Sequence, residues 1–158
     1  MKSRSIIDRK ELDEIINKCR FCSLGMVSPE GEPYVLHFNF GYSDDYIYFH
    51  GDSKGRKIDI LKSNSRVCLF FSSDHQLYNQ HEKVACSYSM KYRSVIVHGD
   101  AEFIDDHEDK VRALNIIMKQ YTGREDFKYS VPAVANVAVW KVRVSAITGK
   151  AFGYPEKA

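Results

Sequence analysis

The chain has 158 residues, 44% of them hydrophobic and 28% charged, a balance ordinary for a globular domain able to bury a core. Lys and Arg number 23 against 21 Asp and Glu, for a net charge of +2, so there is no general attraction to nucleic acid or to an anionic membrane, and any basic patch must be local. No apolar run approaches the roughly 20 residues of a membrane span, and no apolar signal core follows the charged amino terminus; a cytoplasmic location is expected.

Along the chain, Asp8 is placed to cap a helix over residues 9–19, in which Leu12, Ile15, Ile16 and Cys19 share one face. Residues 22–28 and 33–41 alternate as two strands around the turn Ser28 to Glu32, and Ser43 to Asp45 return the chain into a third strand, Tyr46 to His50. A basic helix over about residues 54–63 follows, then a strand from Arg66 to Ser72. The polar interval Ser73 to Lys91 shows no periodicity and is expected to be a long loop. Arg93 to Ile104 is a long strand with Val95, Val97 and Ala101 on one face. Val111, Leu114, Ile117, Met118 and Tyr121 then form the apolar stripe of a second helix, with Gly123 placed to end it, and Ala133 to Ile147 close the chain as one strand.

Short strands, mostly in hairpins, with helices between them predict a mainly β chain: a six-stranded antiparallel barrel with helices packed at its ends. One domain over 1–158 is expected, with an N-terminal helical segment 1–20, the barrel over 21–150 and a tail over 151–158.

Cys68 falls within the apolar run Val67 to Phe71 and reads as a buried thiol. Cys19 and Cys22 form a C-x-x-C, but neither Cys86 nor the separated His75 and His81 adds a second ligand pair at a zinc spacing, so no metal site is expected. Cys19 ends a helix and Cys22 starts a strand, the reverse of a thioredoxin-like redox motif.

The stretch from Tyr48 to Leu61 carries the clearest chemical signal. Lys54, Arg56 and Lys57 lie in the first turn of the basic helix, at the positive end of its dipole and beside its unpaired N–H groups, where cations raise the local energy unless an anion sits among them. A phosphate resolves that conflict, and Gly51 and Gly55 let backbone N–H groups approach it closely. The alternative is three solvated surface cations.

The segments Tyr34 to Phe40, Tyr46 to Gly51, Gly55 to Lys57, Asn64 to Phe71 and Tyr92 to Glu102, in this order and spacing, resemble the flavin-binding split barrels of the pyridoxamine 5'-phosphate oxidase superfamily. They are most similar to its branch of 5-nitroimidazole resistance proteins, and the resemblance spans Phe21 to Lys150. It implies a homodimer with two flavin sites at the subunit interface, each lined by both chains. FMN is the usual cofactor, and FAD is also compatible. Arg56 and Lys57 match the family's phosphate-binding pair. Tyr34, Val35, Leu36, His37, Phe38 and Asn39 match the strand whose backbone runs along the isoalloxazine ring, with Phe49 and His50 on the next strand. Arg93 and Ser94 match an Arg-Gln pair whose second member contacts the flavin, and Ser94 reaches less far. Tyr88, Met90 and Tyr92 are candidates to wall the pocket and Trp140 to cover it, with ordinary packing as the other reading of all four.

Two departures from the oxidases bear on function. This chain has Tyr34 where they begin the strand with an arginine, and it ends Gly-Tyr-Pro-Glu-Lys-Ala in place of their Arg-Leu-x-Pro tail, which argues against pyridoxamine phosphate oxidation. His50 matches the histidine near the cofactor in the nitroimidazole branch; His37 is the second candidate, and His98 reads as structural. No Ser-His-Asp or paired-carboxylate arrangement can be read from the spacing, and a flavin enzyme needs none. The resemblance therefore implies an oxidoreductase that takes reducing equivalents from a nicotinamide nucleotide or another donor and passes them to a small electrophile. A non-catalytic flavin or haem binder, with His50 or His37 on the iron, is the alternative.

Overall fold

The computed structural model describes residues 1–156. In chain order the elements are β1 (Ser3–Ile6), α1 (Arg9–Lys18), β2 (Cys22–Val27), β3 (Pro33–Phe38), β4 (Gly41–Ser43), β5 (Tyr46–Asp52), α2 (Arg56–Ser63), β6 (Arg66–Tyr78), a 3-10 turn (Ala85–Ser87), β7 (Ser89–Ile104), α3 (His107–Thr122), α4 (Val131–Ala135), β8 (Val137–Arg143) and β9 (Ala146–Phe152). Among the described residues no helix is long and apolar enough to cross a membrane.

Local signals placed the two amphipathic helices. The Asp8 carboxylate accepts a hydrogen bond from the Glu11 N–H at 3.2 Å to start α1, which buries Leu12, Ile15 and Ile16. Asp106 caps α3 in the same way, and Gly123, in the left-handed region at φ 74°, ends it as expected.

Every strand pairing is antiparallel. The sheet order is β3-β2-β6-β7-β8-β5-β4, and it forks at β7. One edge of this 16-residue strand pairs with β6 between Ser89 and Asp100. Its other edge takes β9 over Tyr92 to His98 and β8 over Ala101 to Ile104, and β1 adds to β9. Inward residues of both branches, including Leu24, Leu69, Val95, Val97, Phe49 and Trp140, share one core with Ile15 and Ile16 of α1 and Ile58 and Leu61 of α2.

Several boundaries differ from expectation. The described residues form nine strands, not six, because β1 and β9 take their partners from distant parts of the chain and β4 is a short strand of its own that pairs with the neighbouring β5. The expected strand 33–41 breaks at Asn39 and Phe40; the Phe40 ring turns wholly into the core, and its N–H donates to the Tyr121 hydroxyl at 3.1 Å. Both ends of the expected loop Ser73 to Lys91 are instead paired, leaving residues 79–88 as the loop: β6 runs on to Tyr78 and β7 begins at Ser89, across an irregularity between Ser73 and Gln76 where Asp74 takes a φ of 56°. The bulge shifts the register and so hides the strand period. The expected single strand Ala133 to Ile147 is three elements. Its start lies in α4, capped by Ser130 with a proline in the first turn, and the chain breaks again between β8 and β9, where the Val144 N–H donates to the Asp45 carbonyl at 2.7 Å. At the ends, β1 precedes the N-terminal helix, and β9 carries the barrel into the expected tail as far as Phe152. Lys157 and Ala158 of that tail lie outside the described residues.

Candidate functional site

Where β5 hands the chain to α2, alternation along the strand sends Phe49 into the core and leaves His50 exposed. Gly55 makes the bend with φ 119°, which L side chains rarely adopt, and a Cβ there would meet nothing within 4 Å. Among the described residues no side chain caps α2. Its first backbone bonds run from the Ile58 and Asp59 N–H groups to the Gly55 carbonyl, both at 3.1 Å, so the N–H groups of Arg56 and Lys57 stand ahead of the helical ladder at the positive dipole end. Lys54 is exposed on the approach. Lys57 lies across Gly51, with its Cε 3.0 Å from where a Cβ on that glycine would be and Trp140 3.8 Å from it. The space at Gly55, the first N–H groups of α2 and the cations of residues 54, 56 and 57 in this one short segment form a donor set that fits a phosphate.

Arg56 is held from two sides. Its Nη2 donates to Glu32 Oε2 at 2.8 Å, and its guanidinium lies 4.4 Å from the centre of the Tyr34 ring. Sequence reading named Tyr34 and Arg56 but not Glu32. No local signal marks a turn carboxylate 24 positions away as the partner of Arg56.

β3 is an edge strand with β2 as its neighbour. Tyr34, Leu36 and Phe38 turn half-buried toward the core, while Val35 and His37 face outward and Asn39 follows the strand, exposed. The His37 ring meets Phe21 edge-on at 5.7 Å. His50 lies opposite Val139 of β8. Its residue is exposed, yet the protein around the ring is dense enough for burial to draw the imidazole below its ordinary 6.5, so it is neutral at pH 7.

The remaining expected site residues are occupied by the chain itself. Phe49 and Trp140 are wholly buried and stack at 5.7 Å, with Phe38 edge-on to the indole at 5.4 Å; among the described residues the indole N–H finds no acceptor. Tyr92 stacks on Phe152 at 6.1 Å, and the Tyr88 hydroxyl donates to the Glu82 carbonyl at 2.8 Å. Tyr88 and Met90 are otherwise exposed. Ser94 is buried on β7.

Arg93 sits beneath the surface with 12% of its side chain exposed. Its Nη1 donates to Asp74 Oδ2 at 3.1 Å, its Nε lies 3.3 Å from Glu11 Oε1 as an ion pair not aligned for a hydrogen bond, and the Tyr154 ring covers its guanidinium at 4.2 Å. Arg4 holds the same Glu11 at 2.6 Å and Lys18 the same Asp74 at 3.0 Å. Burial pushes the Asp74 carboxyl up, but hydrogen bonds from Lys18, Arg93 and Ser73 outweigh it and hold the group below its ordinary 3.8.

Cys19 ends α1 and Cys22 opens β2, as expected. The Cys19 thiol donates to the Ile15 carbonyl at 3.2 Å, and burial raises both thiols. Among the described residues no group of three or more His, Cys, Asp or Glu is arranged to hold a metal ion. Cys68, expected to be buried, is half-exposed. It lies on the outward face of β6, where a groove of about 490 Å³ runs past Gly25, Val35, Cys68, His98 and Ala146. Val35 is 63% and Phe70 43% exposed on that face.

The profile of the family described as Pyridoxamine 5'-phosphate oxidase matches residues 8–151. The chain belongs to that family. It is similar, at 46% identity and a TM-score of 0.86, to the crystal structure of a candidate 5-nitroimidazole antibiotic resistance protein from Bacteroides thetaiotaomicron, over 96% of this chain and 88% of that one. Two more distant structures share the fold. A flavocytochrome from Azotobacter vinelandii is 22% identical, with a TM-score of 0.81 over 98% of this chain and 72% of that one. A FAD and haem binding protein from Mycobacterium smegmatis is 18% identical, with a TM-score of 0.81 over 98% and 76%. Among curated proteins, none matches the chain.

Proposed function

We propose that the chain is a homodimeric FMN-dependent oxidoreductase that reduces a small electrophile of the nitroimidazole or nitroaromatic class. The observation that carries this reading is the start of α2, which has no side-chain cap, opens with Arg56 and Lys57 after an exposed Lys54, and leaves space around Gly55. The 46% identity to a candidate 5-nitroimidazole resistance protein supports the substrate class, and flavin-binding relatives of the same fold support the cofactor.

A bound flavin supplies the hydride or electrons. Arg56, Lys57 and Lys54, with the first N–H groups of α2, would hold its phosphate. The free edge of β3 offers unpaired backbone groups along Tyr34 to Asn39 for a planar ring. His50 precedes the start of α2 by six residues, and its imidazole, once protonated below neutral pH, can donate that proton to a ligand at the site. The outward face bearing Val35 and Phe70 is apolar enough to join two copies of the chain and exclude water between them.

Titrating apoprotein with FMN and with riboflavin tests the reading, because the two differ only in the phosphate. Wild type should prefer FMN, and Arg56→Ala and Lys57→Ala should each lose a charge-assisted contact of about 1.5–3 kcal/mol for FMN and little for riboflavin. If both variants bind FMN as wild type does, the phosphate assignment fails. A Soret band with no flavin absorbance in the purified protein would replace this reading with the haem-binding one.

A further inference from the structure

Arg56 is the first residue of α2 and half its side chain is open to solvent, a setting in which a long guanidinium side chain samples many rotamers. Here it is restrained by two posts on other elements. The Tyr34 ring lies 4.4 Å beneath the guanidinium, and Glu32 draws Nη2 to one side at 2.8 Å.

Both posts are anchored. Tyr34 is half-buried, and its backbone pairs with Met26. Glu32 closes the turn between β2 and β3: its N–H donates to Ser28 Oγ at 3.1 Å, its carbonyl accepts from the Ser28 N–H at 2.9 Å, and the Gly31 N–H donates to the Ser28 carbonyl at 2.9 Å.

The way each post binds matters for what the guanidinium can still do. An aromatic ring takes the flat face of a guanidinium and consumes none of its donors, which all lie in the plane. Glu32 takes one of the five N–H groups, and the others keep the fixed fork geometry that suits a phosphate. A lysine has no such face to stack.

We infer that Tyr34 and Glu32 are positioning residues that pre-set the Arg56 guanidinium for an oxyanion at the start of α2. This inference rests on the phosphate reading proposed above. A pre-set donor loses less rotamer freedom when its ligand arrives, so the posts add to affinity for a phosphomonoester without touching it.

The test is the ratio of riboflavin to FMN dissociation constants in Tyr34→Leu, Tyr34→Phe and Arg56→Ala, alone and combined. Tyr34→Phe keeps the ring and should keep the wild-type ratio. Tyr34→Leu should lower the ratio about two- to fivefold, the range of an exposed cation–ring contact, and should lower it no further once Arg56→Ala is present. A loss that persists in the Arg56→Ala background, an equal loss in Tyr34→Phe, or an unchanged ratio in Tyr34→Leu overturns the inference. Glu32→Gln lies on an exposed turn and leaves the core intact. In flavin-free protein it should lower the heteronuclear NOE of the Arg56 Nε–H, and an unchanged value overturns the tether. Should wild type itself bind riboflavin and FMN equally, the phosphate reading falls and this inference with it. A wild-type preference that only the Tyr34 variants leave untouched removes the inference alone.

Discussion

Arg93→Met separates a scaffold role from a cofactor role for a residue that resemblance assigns to the flavin. Methionine keeps the apolar stem and removes the guanidinium, which has ion-pair partners in Glu11 and Asp74 and lies under the Tyr154 ring. Breaking a buried pair by removing one partner costs about 3–5 kcal/mol, and with only 12% of the Arg93 side chain exposed, solvent screening takes little from that figure. Glu11 keeps Arg4 and Asp74 keeps Lys18, so the lower end, about 3 kcal/mol, is expected. For a chain of this length that lowers Tm by roughly 6–12 °C. Asp74 sharpens the test. Its folded pKa lies below 3.8, so it contributes stability that is full above about pH 4 and lost as the pH falls through the lower folded value. Arg93→Met should therefore flatten the acid limb of a Tm-against-pH profile recorded by calorimetry, while leaving the preference for FMN over riboflavin intact. A variant as stable as wild type that has lost flavin affinity refutes the scaffold reading.

Two further outcomes bear on the proposed function. Sedimentation should report roughly twice the 18.2 kDa of the chain, and Phe70→Glu, on the exposed apolar face, should return it to one; a wild-type monomer that still holds flavin tightly would remove the interface site. His50→Ala should slow anaerobic reoxidation of the reduced flavin by a nitroaromatic about 10²–10⁴-fold in stopped flow while sparing the dimer. Because burial holds the imidazole below 6.5, the wild-type rate should climb as the pH falls below neutrality and the variant's should not; matching profiles would leave His50 a plain strand residue.

The sequence by itself determined what is written in neighbours three or four residues apart. Asp8 and Asp106 start their helices through bonds to N–H groups three positions on, Gly123 ends one, and periodicity marked the inward Val95, Val97 and Ala101 of β7. The candidate anion site at α2 was legible for the same reason: its glycine, cations and helix start are contiguous. Tertiary structure alone decided which distant groups meet. Glu32 and Tyr34 reach Arg56 only because the β2–β3 turn folds against α2. Arg93 belongs to a network joining Arg4, Glu11, Asp74 and Tyr154, whose members carry no mutual signal along the chain. The extension of β6 past Asp74 and the break between β8 and β9 also depend on partner strands, whereas α4 carried a local start signal in Ser130 and Pro132 that the strand reading passed over. A strand's hydrogen bonds leave the segment, whereas a helix satisfies its own, so strand limits and ion-pair partners are set by the fold and helix limits by the chain.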